Sequence, residues 1–575
     1  MTFSRLSCFT VLTLMICTLP ALALWPSDPA TNLSIADRAG EQVVPKIAFS
    51  TMGGCYVAWH DHASGNYDIY LQYLSDEGDE VWPHNGLLIS DHPQQSWITD
   101  WDLIADSNGN AVIVVNDVRS GPDWDIYAYK VAPDGTMLWG ADGVTISDNA
   151  DFEPSPKVTE TTDGEFVVVW ARSPDVGDGS IMMQRLEADG TPRLPYGGVP
   201  VAGEVGESPS FCVICPGDAG SVIVGWLRDT SQYLSDRHYR AEKFDAGGGS
   251  VWGAPVEVYN ETVLPLGYEP YIEKDGAGGA VLLWHRYYGG IYNSCVQHLD
   301  AAGTEIFPHN GLVVSTTPGM YHISPTLCQS GGDIYVFWRE QNTAQSLTGL
   351  YGQRFDAAGT RLWGNAGMTF LPIDAIEKAF YRALPMPDGA AVYWIEKPGG
   401  YASDIIRGFR TDSDGDFLWP GDIIDVASTP SSKGRLPAAL GFAGTSLLIW
   451  EDDRAGSVDI YGQRVNLDGS LGATGTDAEA PEARIALGQN HPNPFNPSTT
   501  IRFRLSEPGW VGLSIHDLAG RRVRTLRDGF EPGAGEHSVR WDGLDESGRP
   551  AASGIYLYSL RTADKVLSKR MVLVK

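Results

Sequence analysis

The strongest constraint on this chain is that it repeats itself. A run of apolar residues ending in Trp or an equivalent recurs at Trp59, Val115, Trp170, Trp226, Trp284, Trp338, Trp394 and Trp450. The successive spacings are 56, 55, 56, 58, 54, 56 and 56 residues. A second marker, Leu-Trp or similar, recurs at Trp82, Trp139, Trp252, Phe307, Trp363 and Trp419. A third, of the Asp-Ile-Tyr type, stands at 68–70, 125–127, 404–406 and 459–461, with Gln-Arg versions at 184–185, 353–354 and 463–464. Three markers in a fixed order and period mean one structural unit used eight times.

Each unit reads as four short strands. The first follows a proline, as at Pro156-Lys157-Val158, and the second is the run that ends in Trp. The third is the Asp-Ile-Tyr segment, and the fourth runs from Leu-Trp to Ser, as from Leu138 to Ser147. Asp-Gly or Ala-Gly between the third and fourth supplies the positive φ of a tight hairpin. No long 3.6-residue periodicity appears, while β-branched and aromatic residues are enriched. The expected fold is all-β: an eight-bladed β-propeller of four-stranded blades over 24–473. The eighth unit lacks its Leu-Trp strand, and Leu24-Trp25 followed by Leu33-Ser34-Ile35 supplies a copy one period, 57 residues, before Trp82. The N-terminal strand is therefore expected to complete the last blade, which removes exposed sheet edges.

Arg5, the apolar stretch from Phe9 to about Leu19 and Ala21-Leu22-Ala23 form a signal-peptide pattern over 1–23. Its core is too short for a membrane span, and no other run reaches the ~18 apolar residues that one needs. The mature chain is thus expected to be extracellular or on the outer-membrane surface. Five cysteines remain after residue 23: Cys55, Cys212, Cys215, Cys295 and Cys328. Cys212 and Cys215 form a CxxC inside a strand-like run, where residues three apart face opposite sides, so buried thiols are expected rather than a redox or zinc site. The formal charge of −31 repels phosphate backbones and argues against a nucleic-acid partner.

That charge is unevenly distributed. Residues 484–575 hold 14 Lys and Arg against 9 Asp and Glu, whereas the remainder holds 27 against 63. The change of sign, and the stretch 474–483 before it, mark a linker and a second domain. Strands are expected at 501–505, 511–516, 523–526, 537–541, 554–560 and 571–574, a small Ig-like β-sandwich. Its motifs are Asn490–Leu505 (NHPNPFNPSTTIRFRL), Val511–Leu526, Ala534–Leu560 and the terminal Lys569–Lys575. In order and spacing they resemble the C-terminal sorting domain of type IX secretion substrates, and equally the Ig-like domain of flagellar hook-capping proteins. The resemblance implies recognition by a secretion machinery through Asn490, Pro492, Asn493, Pro494, Phe495, Asn496, Pro497, Gly520, Trp541, Gly554, Tyr556, Lys569 and Lys575. His516 stands where Tyr is commonest in the family.

No motif names an activity. Asp412–Asp416 and Asp106–Asn110 look like the start of a calcium loop, but position 12 of the first would be Ile423 rather than Glu, so turns are expected. Sialidase-type Asp boxes, GxSxG, HExxH and phosphate-loop patterns do not occur. No catalytic, metal or cofactor residue is therefore assigned. The loops between second and third strands, and between successive units, vary most, and variable loops on a rigid scaffold are where recognition resides. Trp97, Trp101, Trp124, Tyr233, Tyr287, Tyr288 and Tyr292 are the expected ligand face, for a glycan or a protein. The first functional expectation is a binding or adhesion protein without turnover. The alternatives are a polysaccharide- or peptide-acting hydrolase or lyase working in the propeller channel, and a structural component of the envelope.

Overall fold

The computed structural model of the chain describes residues 24–575 apart from 95–99, 175–177, 230–236, 266–268, 400–401, 474–485, 488–489, 491–492, 494, 506–508, 518–520, 532–534, 563–565 and 575. The expected signal peptide and linker lie outside the described residues. Two units emerge, 1–473 and 474–575.

The first unit is all-β, and the one helical element among its described residues is a single 3-10 turn, Phe442–Gly444. Eight antiparallel sheets follow one another along the chain. The first consists of Gln42–Phe49, Cys55–Asp61, Asp68–Leu74 and Leu87–Ser90, hydrogen-bonded in that order. The next six repeat this up-and-down order. In the eighth sheet, Ser446–Asp452 pairs on one side with Lys433–Gly434 and Ala438–Leu440, and on the other with Asp459–Val465. Its outer strand is Leu33–Ala36, with Leu33 opposite Gly462 and Ser34 opposite Tyr461.

Second strands are apolar on both faces because each sheet lies between two others. Tyr56 and Ala58 of the first sheet cluster with Trp101, Leu103 and Ile113 of the second. Cys55, Val57 and Trp59, pointing the other way, cluster with Leu447, Ile449 and the N-terminal Trp25 and Ile35. Six further clusters join the remaining successive sheets. Each sheet therefore packs on the next and the eighth packs on the first. Cys212 belongs to the cluster between the third and fourth sheets, and Cys215 to that between the fourth and fifth. All five cysteines of the described residues are buried and free, and burial raises the pKa of each.

The fourth strands differ from expectation. Only Val144–Ser147 pairs where a strand from Leu138 was anticipated. Trp139 turns aside, and its indole N–H donates to the Ala188 carbonyl of the next sheet at 3.2 Å. Trp82, Trp252, Trp363 and Trp419 bond in the same way to Pro133, Ala301, Ser413 and Leu467. The Leu-Trp marker is thus a clasp between sheets rather than a strand residue.

The second unit contains two sheets, one of Ala486–Leu487, Thr499–Leu505 and Gly535–Trp541, the other ordered Arg522–Glu531, Gly509–Asp517, Gly554–Arg561, Val566–Leu573. All six anticipated strands are present, most of them longer than read. Its core gathers Phe495, Ile501, Phe503, Leu513, Trp541, Tyr558 and Met571.

Candidate functional site

The first strands of the sheets of the first unit carry a repeated irregularity. Val44, Ser155, Phe211, Ser324, Phe380 and Arg435 all have φ between 42° and 56°. Around four of them the pairing slips: Val43 to Lys46, Ser210 to Val213, Ile323 to Thr326 and Ala379 to Arg382. These are β-bulges, which re-aim side chains and recur beside functional sites. Asp100 and Glu269 hold the equivalent positions in the second and fifth sheets, because the series 44, 100, 155, 211, 269, 324, 380, 435 keeps the period of the Trp markers. Two residues further on, the series includes Lys46, Asp102, Lys157, Tyr271, Thr326 and Arg382.

These positions bring charge together from different sheets. Asp100 receives Lys46 Nζ at 2.6 Å on one carboxylate oxygen and Lys157 Nζ on the other. Burial alone would raise the Asp100 pKa, but the two ammonium groups override it and hold the carboxyl below the usual range. Burial would likewise lower the Lys157 pKa, and Asp100, Asp102 and Glu269 reverse that. Glu269 is two sheets away from Lys157. Tyr271 and Arg382, from the fifth and seventh sheets, also sense each other, and burial lowers the Arg382 pKa. The inner positions thus mix these charged groups with the partly exposed aromatic rings of Phe211, Tyr271 and Phe380.

Two buried histidines stand beside this wall. His285 Nε2 accepts the Ser324 N–H at 2.8 Å, so that nitrogen carries no proton. Burial pushes its pKa down to about 3. His60 packs edge-on against Trp101 at 5.4 Å, and burial lowers its pKa to about 4. His285 supports the bulge at Ser324 through that hydrogen bond. Glu451 does the same work in the eighth sheet, accepting the Val44 N–H at 2.8 Å.

A pocket of about 250 Å³ opens between the first strands of the third and fourth sheets. Phe152, Ser155, Lys157, Ser173, Ser210, Phe211 and Glu269 are among its lining residues. Phe211 is 38% exposed and Phe152 45%. The pocket offers aromatic faces, hydroxyls, an ammonium donor and a carboxylate. Asp100 is held by its two lysines, and Glu269 is the carboxylate among the lining residues.

The residues expected on a ligand face separate. Trp101 is corrected: it is 1% exposed and belongs to the core between the first two sheets, because it follows the inner-strand Asp100 and points into the sheet interface. Trp124 packs at a tilt against the pocket residue Phe152, ring centroids 4.8 Å apart. Tyr287 and Tyr288 are 44% and 53% exposed at a hairpin tip, with Tyr292 4.7 Å from Tyr287 and Tyr321 5.4 Å from Tyr292. They form a separate aromatic patch. Trp97 and Tyr233 lie outside the described residues. Lys157, Phe211, Glu269 and Arg382 were missed by motif reading. Their signal is the 55–58-residue period itself, applied to the inner strands instead of to the Trp markers.

Asp412 and Asp106 close turns, each accepting backbone N–H groups two and four residues on. The turn at Asp106 joins a first strand to a second. Among the described residues no group of three or more His, Cys, Asp or Glu is placed to hold a metal, and no helix is long and apolar enough to cross a membrane. In the second unit, Asn490, Phe495, Trp541 and Tyr556 are buried. Asn490 donates to Thr499 Oγ1 at 2.9 Å, and Tyr556 donates to the Ala552 carbonyl at 2.7 Å. The exposed Asn493 accepts the Val572 N–H at 2.8 Å. Asn496 precedes Pro497 through a cis bond, Gly554 has φ 155°, and Lys569 is exposed. Pro492, Pro494, Gly520 and Lys575 lie outside the described residues.

Residues 495–565 match the FlgD Ig-like domain family. No curated protein matches the chain. Among solved structures, the chain is similar to an ulvan lyase of polysaccharide lyase family 25 bound to -[GlcA(1-4)Rha3S]-, at 8% identity and TM-score 0.43, covering 76% of this chain and 96% of that one. The polysaccharide lyase Uly1 aligns at 12% identity and TM-score 0.36, over 76% and 92%. An α-L-arabinofuranosidase from Fusarium graminearum, in complex with an iminosugar inhibitor, aligns at 11% identity and TM-score 0.35, over 56% and 97%. The C-terminal unit thus carries a FlgD-type Ig-like domain, and the structural neighbours of the chain include polysaccharide lyases and an arabinofuranosidase.

Proposed function

We propose that the chain is an exported eight-bladed β-propeller that acts on a glycan, as a hydrolase or lyase, at the pocket of the inner strands. The observation that carries this reading is the meeting of Phe211, Lys157 and Glu269 in one mainly apolar recess beside the first strands. Convergent polar groups in a concave, partly aromatic site are the general form of a small-ligand site. Glu269 is the acid–base group of this reading, and Lys157 holds the hydroxyls of the substrate. The test is incubation of the mature protein with a panel of polysaccharides, reading new reducing ends and the ultraviolet absorbance of unsaturated uronates. Glu269→Gln should reduce turnover by about 10²–10⁴-fold while glycan binding persists. Equal rates for both proteins would overturn the assignment.

The exposed Tyr287 and Tyr288 favour a second reading, a glycan- or protein-binding surface without turnover. Binding without product from any polysaccharide selects it.

We further propose that residues 1–23 direct export and that 484–575 are read by a type IX secretion machinery. The supports are the signal-peptide pattern and the family resemblance of the C-terminal motifs. Deleting 484–575 in the native host should leave the propeller inside the cell envelope, as followed by fractionation and immunoblotting. Unchanged release of the truncated protein would refute the sorting role.

A further inference from the structure

The pocket is too small for a chain of sugars. Its volume of about 250 Å³ falls below the roughly 300–1,000 Å³ of sites that enclose drug-sized ligands, so it has room for a single ring. What lines it matches the two kinds of surface that such a ring presents. Phe211 and Phe152 offer partly exposed aromatic rings. The negative face of an aromatic ring attracts the C–H hydrogens on the apolar side of a sugar. Lys157 keeps two donors beside the one it gives to Asp100, Glu269 supplies acceptors, and Ser155, Ser173 and Ser210 supply hydroxyls for the sugar's own hydroxyl groups.

Phe211 is set for this role by an unfavourable backbone. It sits at φ 50°, a conformation that bulky residues rarely adopt and that persists where the surroundings over-determine it. A glycine would satisfy the same bulge with less strain. Phe380 takes the same conformation at the equivalent position of the seventh sheet and is likewise exposed, so the bulge itself aims the ring outward.

The charges decide which sugar fits. Lys157 is surrounded by Asp100, Asp102 and Glu269. Lys46 is the second ammonium group on Asp100. Around Lys157 two lysines thus stand against three carboxylates, so the charge beside its ammonium group is net negative.

We propose that this pocket is a subsite for one uncharged sugar ring, stacked on Phe211 with its hydroxyls shared between Lys157 and Glu269, and that it disfavours uronates and sulfated rings. This rests on the glycan reading above and names the substrate class of that site.

The test uses the full mature chain and saturation-transfer NMR with neutral monosaccharides (arabinose, xylose, galactose) and with glucuronate and galacturonate. At least one neutral sugar should bind, about tenfold or more tighter than either uronate. Phe211→Gly should weaken that binding by about tenfold or more while the melting temperature stays the same or rises, which separates loss of the platform from loss of the fold. Uronates bound as tightly as neutral sugars, or binding unaffected by Phe211→Gly, would overturn the proposal. Cleavage of a polysaccharide with no Phe211-dependent sugar binding would leave the glycan activity standing and sink the subsite. Phe211-dependent binding of a neutral sugar with no cleavage of any polysaccharide would keep the subsite and sink the enzymatic reading.

Discussion

Single residues in this protein are governed by which neighbours the repeat gives them. In the eighth sheet Asp452 accepts the Trp450 indole N–H at 2.8 Å and pairs with Arg454 at 2.6 Å. Arg454 in turn lies 4.4 Å over the Tyr461 ring. In the second sheet Asp117 pairs with Arg119, whose guanidinium lies 3.6 Å over Tyr127. Asp125, directly across from Asp117, has no cation bonded to it among the described residues and is held by the Ser120 hydroxyl. Burial raises its pKa from 3.8 to about 7, with Asp123, Glu153 and Asp148 adding to the rise against the Ser120 bond. A carboxyl whose folded pKa is raised favours the folded state in its protonated form. Its contribution is fully present below pH 3.8 and is lost as pH climbs through about 7. Asp125→Asn should therefore show a melting temperature that declines less over that window than the parent. Parallel pH dependences in a thermal melt series would contradict the assignment.

At the scale of elements, the sequence markers turn out to be joints. The Leu-Trp tryptophan of one sheet lies on the turn glycine of the next. A Cβ on Gly190 would come 2.8 Å from Trp139 Cδ1, while the Trp139 N–H bonds to Ala188 two residues before that glycine. Gly86, Gly198, Gly311 and Gly367, each just before a fourth strand, lie against the buried Trp of their own sheet. Gly311 has φ 71°, and a Cβ there would stand 2.5 Å from Trp284 Cη2 and 2.7 Å from the Val296 carbonyl oxygen. Gly311→Ala thus combines backbone strain with overpacking against a fixed backbone, and should destabilise the first unit by about 2–4 kcal/mol. A change under ~0.5 kcal/mol in chemical denaturation would show that the fourth strand can shift freely. These joints were visible in the sequence as recurring letters. Their direction was not, because a Trp at a strand end and a Trp beside a strand give the same pattern. The bulges were hidden for a related reason. A left-handed residue can be Val, Ser, Phe or Arg here, so no residue type announces it.

For the molecule as a whole, the arrangement rests on a short contact between distant parts of the chain. Leu33–Ala36 pairs with Asp459–Val465, and Trp25 and Ile35 fill the cluster between the eighth and first sheets. Asn32 reaches the Val426 carbonyl and Gln463, both at 2.9 Å. Deleting Leu24–Ser34 should expose an edge and open that cluster, lowering the melting temperature by well over the change for any single surface substitution and promoting aggregation. A truncated protein that melts like the parent would mean that the cycle does not depend on this strand. The repeat period, the strand-forming composition and the offset N-terminal copy were enough to derive the eight units and the pairing of the first strand with the last, since periodic apolar runs can be buried in few ways. The sign change in charge separated the second unit for the same kind of reason: it is a property of the chain summed over many residues. The pocket belongs to tertiary structure alone. Lys157, Phe211 and Glu269 are 54 and 58 residues apart in sequence, and only the packing of inner strands side by side, with bulges re-aiming their side chains, makes them neighbours.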